Sequence, residues 1–172
     1  MAAAHRILSL NDQALVAYVS QRVSGANVQP GKSSDDKALP VIICWSERGI
    51  EDPPQSGIYT ITAHVQVRTL AALDLNQDPK APKDKSDQLI GSVFDLFHQA
   101  NDAAFVDTSG EDLANFINAA ANVAGVSPYT CQYARVLAVT AGYDDQHGRM
   151  MKGSCWVDSL ELEMVVSPAD GL

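Results

Sequence analysis

Two long stretches of this chain alternate between apolar and polar residues, and they limit what it can fold into more than any other feature. The first runs from Ile58 to Leu70 and the second from Ser154 to Val166. In the second, Trp156, Leu160, Leu162, Met164 and Val166 alternate with Val157, Ser159, Glu161, Glu163 and Val165. A period of two sends successive side chains to opposite faces of a sheet. In the first stretch Tyr59, Ile61, Ala63, Val65 and Val67 share one face, while Thr60, Thr62, His64, Gln66 and Arg68 share the other. One apolar and one polar face is the pattern of an antiparallel sheet covered on a single side. Neither strand carries a recognisable catalytic constellation, which points to assembly rather than chemistry.

The segments between these strands complete an α+β outline. Ser9 followed by Asp12 predicts a helix start, Leu15, Tyr18, Val19 and Val23 recur at helical spacing, and Gly25 is a natural stop. A polar loop is expected over Ala26–Lys37, then a buried strand over Leu39–Trp45. The charged segment Glu47–Gly57, with Pro53-Pro54, reads as a loop because proline cannot pair inside a sheet. Asp74–Asp87 and Gly142–Gly153 read as mobile loops. Leu89, Val93, Leu96, Phe97 and Ala100 mark a second helix, and Leu113, Phe116, Ile117 and Ala120 a third that begins near Ser109. Cys131–Ala141 and Ser154–Val166 form a closing hairpin. The order helix, hairpin, helix, helix, hairpin predicts an antiparallel or mixed sheet of two long hairpins with helices on one face, in a single domain over residues 1–172.

Composition narrows the function. With 46% hydrophobic and 19% charged residues the chain is globular, and its net charge of -9 argues against sequence-specific DNA readout, which needs clustered Lys and Arg. Cys44, Cys131 and Cys155 make an odd count with no short-spaced pair, as expected of reduced, packed thiols. Met1–Arg6 lacks the apolar run of a signal peptide, and no stretch approaches a membrane span. The expectation is a soluble protein of the cytoplasm.

Several fragments resemble chemical motifs. Gly153-Ser154-Cys155-Trp156 is similar to part of the nucleophile segment of papain-like cysteine proteases, which would make Cys155 and His147 a small cytosolic hydrolase pair. Lys152 replaces the first cysteine of that signature, the segment enters a strand, and no His or Asn follows. Pro30-Gly31-Lys32-Ser33 echoes the end of a phosphate-binding loop, but Ala26 stands where a glycine is required and neither the strand nor the helix of that motif is expected around it. Asp144, Asp145 and His147 could offer metal ligands, although a Gly-bounded polar segment is also what a solvated turn looks like. Glu161 and Glu163 share one strand face, where solvation or a subunit contact suits them better than acid/base work. No metal or cofactor is expected. Two sets of residues suit a partner better: the mild polar row Thr60, Thr62, His64, Gln66, Arg68, and the hairpin tip Arg149, Met150, Met151, Lys152, where two adjacent methionines offer adaptable contacts.

The helix Leu10–Val23, the strand Leu39-Pro40-Val41-Ile42-Ile43, the Pro-containing loop before Gly57-Ile58-Tyr59, the alternating strand Tyr59–Val67, the helix Asp87–Phe97 and the finish Trp156-Val157-Asp158-Ser159-Leu160-Glu161-Leu162 follow one another in a telling order. In this order and spacing the chain resembles the tail terminator (tail completion) proteins of tailed bacteriophages over most of its length. The resemblance implies a non-enzymatic virion protein of the tail or neck, assembled in the host cytoplasm. It implies a homo-hexameric ring that caps the tail tube protein, docks the head-tail connector protein and passes DNA through its lumen. It carries no catalytic or cofactor-binding residues. Asn101–Tyr129 and Asp74–Asp87 are longer than the compact form of that pattern, which keeps another head-tail joining (neck) protein as the alternative.

Overall fold

The computed structural model describes residues 2–31, 39–72, 80–97, 108–144 and 154–169. Three helices, α1 (Ala2–Arg22), α2 (Lys80–Phe97) and α3 (Thr108–Ala124), pack on one face of a five-stranded sheet. The strands are β1 (Asn27–Pro30), β2 (Val41–Glu51), β3 (Tyr59–Ala72), β4 (Tyr129–Asp144) and β5 (Ser154–Pro168), in spatial order β1-β2-β3-β5-β4. β1 runs parallel to β2 and every other pairing is antiparallel. The α+β class and the two long hairpins read from the sequence are thus present, with the two alternating stretches side by side in the sheet as β3 and β5.

Their register makes the core. Ile61 lies opposite Met164, Ala63 opposite Leu162 and Val65 opposite Leu160, all fully buried beneath the helices. Each helix lays one apolar stripe on that surface: Ile7, Leu10, Ala14, Leu15, Tyr18 and Val19 from α1, Leu89, Val93 and Phe97 from α2, Leu113, Ile117 and Ala121 from α3. Tyr18 is the hub where the helices meet, its ring 5.5 Å from Phe97 and 5.7 Å, edge-on, from Phe116.

The helix ends show why the boundaries fall where they do. α1 begins at Ala2, earlier than the Ser9 start expected from the sequence, because three alanines favour helix and Ile7 extends the same buried stripe. α2 begins at Lys80, so the second half of the expected Asp74–Asp87 loop is helix; Pro82 sits in the first turn, where its missing N–H costs no intrahelical bond. Positions 74–79 lie outside the described residues. α3 ends in a Schellman arrangement, with Val126 N–H donating to Ala121 O and Gly125 N–H to Asn122 O, and Gly125 takes the left-handed conformation this requires (φ 65°). The Ala124 carbonyl at that end also accepts from Arg6 Nη2 at 3.1 Å, tying α3 to α1.

Two strand readings are corrected. Asn27–Pro30, inside the expected polar loop Ala26–Lys37, is strand β1, too short and polar to show a period. β2 does not stop at Trp45 but continues through Glu51 across a bulge at Ser46/Arg48, which takes in much of the expected Glu47–Gly57 loop. A bulge resets the face parity, so no alternation survives to mark the extension. It is clamped from α1: Asp12 Oδ1 accepts Ser46 N–H at 2.6 Å, and Asn11 Nδ2 donates to Ser46 Oγ at 2.9 Å and lies 3.5 Å from Met164 Sδ.

Burial pushes the Asp12 carboxyl above the usual carboxylate range, and its bonds to Ser46 pull only partway back. Above that raised pKa the folded state bears the full penalty of the buried charge, and the penalty fades as pH falls from there to the ordinary unfolded value. Asp12→Asn keeps an oxygen that can accept from Ser46 without the charge. Its urea midpoint should match wild type at acid pH and rise above it as pH climbs through the Asp12 pKa. A gap that stays constant from acid to neutral pH would contradict this assignment.

Candidate functional site

With α1, α2 and α3 all on one side, no described helix covers the other sheet face, although Val41, Ile43 and Cys155 on that face are buried. The pairing register lays its residues out in rows across four strands: Arg48, Thr62, Glu163 and Arg135 in one, Trp45, His64 and Glu161 in the next, then Ile43, Gln66 and Ser159, then Val41, Arg68 and Val157. The five residues singled out from the sequence, Thr60, Thr62, His64, Gln66 and Arg68, therefore share this face, each half-buried by its neighbours. Arg149, Met150, Met151 and Lys152, the other proposed contact set, lie outside the described residues.

The face is held in place by its own side chains. The Trp45 and His64 rings stack at 5.0 Å with an interplanar angle of 20°, and His64 Nε2 is 2.7 Å from Glu47 Oε2. Glu47 is the extra residue of the β2 bulge, so the clamp from α1 on the covered side helps to aim a carboxylate on the uncovered side. Arg68 Nε donates to Gln66 Oε1 at 2.7 Å, and Gln66 Nε2 donates to Ser159 Oγ at 3.1 Å, which spans β3 to β5. Arg135 pairs with Glu163 at 2.7 Å, and the Tyr133 hydroxyl donates to the same carboxylate at 3.0 Å. Burial raises the Tyr133 pKa, and the Glu163 carboxylate reinforces the shift. On this face three arginines (48, 68, 135) stand among three glutamates (47, 161, 163), and the register places Asp144, opposite Cys155 at the end of β4, on the same side, so the face mixes both signs on a chain of net charge -9.

The remaining candidates are scattered. Cys155 is fully buried in β5 opposite Leu70, and His147 is outside the described residues, as are Asp145, Lys32 and Ser33. Pro30-Gly31 closes strand β1, so a strand does precede the phosphate-loop echo, contrary to expectation; the next described element is β2 rather than a helix. Asp144 ends β4, and no cluster of His, Cys, Asp or Glu able to hold a metal occurs among the described residues. Cys44 is buried, and desolvation together with nearby Asp12 pushes its thiol pKa far up, which leaves it unreactive at neutral pH. Glu161 and Glu163 do not act as a pair: Glu163 is engaged by Arg135 and Tyr133, whereas Glu161 lies opposite His64.

No protein-family model matches this chain, and no curated protein matches it. The face opposite the helices therefore has to be read from its own chemistry: stacked, of mixed charge and cross-linked by side-chain hydrogen bonds. Sequence reasoning missed Trp45, Glu47 and Arg48 as members of this face. The first sits at the end of a strand whose continuation is hidden, and the others lie in what reads as a loop.

A second polar cluster lies on the covered face. Asp158 is buried among apolar neighbours and accepts from Ser86 Oγ at 2.5 Å and from Lys83 Nζ at 3.3 Å; Lys83 also pairs with Asp87 at 2.7 Å and lies 5.2 Å from the Trp156 ring centre. Its signal was present in the alternation, since position 158 has the same parity as Trp156 and Leu160. An acid on an apolar face requires a partner, and α2 supplies it.

Proposed function

We propose that this protein is a non-enzymatic structural component of a phage tail, a tail terminator that closes a ring on the tail tube and presents a docking surface to the head-tail connector, with DNA passing through the lumen. The single observation that carries the reading is the mixed-charge sheet face that no described helix covers. A polar face whose side chains are half-buried, stacked and mutually bonded suits burial against another protein surface, where charges of both signs can find opposite partners. The order of elements that resembles the tail terminator family supplies the identity of that surface: another copy of the same chain. Residues Thr60, Thr62, His64, Gln66 and Arg68 are its centre in this reading, and assembly takes place in the host cytoplasm before the protein joins the virion.

Thr62→Arg tests this. It places a second large cation beside Arg48 in the middle of the face while leaving the core untouched, so folding stability should change by no more than about 0.5 kcal/mol. Wild type, concentrated or mixed with tail tubes, should form rings visible by negative-stain electron microscopy, and the variant should not. A wild type that forms no rings even on tubes, or a variant that assembles as well as wild type, counts against the reading.

A further inference from the structure

The two edges of the sheet differ in a way that the ring reading does not use. On one side β1 has only four residues and ends at Pro30, and the β2 segment beyond it carries the bulge together with Glu47, Arg48 and Glu51. Short strands, proline, bulges and charge are the devices that blunt an edge against unwanted pairing. On the other side β4 is outermost and 16 residues long. Its first half lies under α3, with Cys131 and Ala134 buried, and both of its bulges end by Ala138. Beyond that the strand runs on without a further bulge. Every residue from Leu137 to Gly142 is exposed, Leu137 at 46% and Val139 at 53%. The run Val136-Leu-Ala-Val-Thr-Ala-Gly-Tyr143 contains neither charge nor proline.

A head-to-tail contact between sheet edges would need both edges open, and one is blunted. A two-fold contact needs only the open one, used twice. We propose that β4 pairs antiparallel with β4 of a second copy about a two-fold axis at Val139, joining the two five-stranded sheets into one. In that register Val139 faces Val139, Leu137 faces Ala141, and Arg135 falls opposite Tyr143, so no charge meets its like. The net charge of -9 disfavours self-contact over much of the surface, and this uncharged strip is free of that repulsion. The edge contact uses backbone hydrogen-bonding groups and is independent of the ring: the two can fail separately.

Residues directly opposite each other in an antiparallel pair have Cα atoms about 4.5–5.5 Å apart, within the roughly 4.4–6.8 Å that a disulfide spans. Under mild oxidation Val139→Cys should therefore convert to a covalent dimer on a non-reducing gel, while Ser92→Cys, exposed on α2, stays monomeric. The three native cysteines are buried and do not contribute. Val139→Lys, which sets cation against cation across the axis, should halve the light-scattering mass from dimer to monomer with an unchanged circular dichroism spectrum. A monomeric wild type overturns the proposal, as does an oligomer of any size in which Val139→Cys links no better than Ser92→Cys or in which Val139→Lys leaves the mass unchanged.

Discussion

Leu162→Ala should lower the stability of the fold by about 2–5 kcal/mol, the range for a large-to-small change that leaves a cavity in a packed core. Leu162 is fully buried in β5, a strand flanked on both sides, and it faces Ala63 of β3 and Val136 of β4 beneath the helices. Ala63 is already small, so the strand beside it has no side chain long enough to move into the space. For a chain of this length each kcal/mol shifts the melting temperature by about 2–4 °C, which puts the expected loss at roughly 4–20 °C. Val123→Ala, at a position of α3 that is 89% exposed, is the matched control and should shift it by no more than a degree or two. Equal effects at the two positions would mean that the alternating strands do not form the core as described.

The second large effect is expected where α2 docks on β5. Lys83→Met removes the cation from a buried carboxylate and leaves Asp158 with Ser86 alone, an arrangement that costs about 3 kcal/mol where a buried pair is broken from one side. Lys83→Met with Asp158→Leu should recover most of that loss, because the uncompensated charge is gone. The difference between double and single variants, read from urea midpoints, measures the coupling directly. Burial alone would lower the Lys83 pKa, but its bonds to Asp87 and Asp158 outweigh this and raise it. A raised lysine pKa stabilises the fold at all pH values below the unfolded pKa, and the contribution fades only as pH climbs through the folded one. The penalty of Lys83→Met should accordingly be undiminished at neutral pH and shrink only in strong alkali. Additive single effects would show that the two residues act independently.

How far this fold is legible depends on whether neighbouring residues share one periodicity. β3, β5, α3 and the core stripes of α1 and α2 all keep a constant period, and each was readable at the right place. β1 has four residues, too few for a pattern, and β2 loses its pattern at the Ser46/Arg48 bulge. The site divides the same way. Thr60 to Arg68 were found together because a single strand carries them, whereas Trp45, Glu47 and Arg48 reach that face only through a neighbouring strand with shifted parity. Asp158 was visible as an acid of the wrong parity, but its partners Ser86 and Lys83 stand more than seventy positions away, and no local rule connects them.

Local pattern alone makes this chain α+β, gives two long strands that each turn one apolar side inward, and points Glu161 and Glu163 of β5 away from the core. Alternation with a period of two is a local property, enforced by backbone geometry at every residue. Which strands lie side by side, the placing of α1, α2 and α3 on the same face, and the blunting of one sheet edge while β4 stays outermost came only with long-range packing. Those outcomes rest on cross-strand register and on contacts such as Asp12 with Ser46 and Lys83 with Asp158. They join residues far apart in the chain, and they exist only once the sheet has formed.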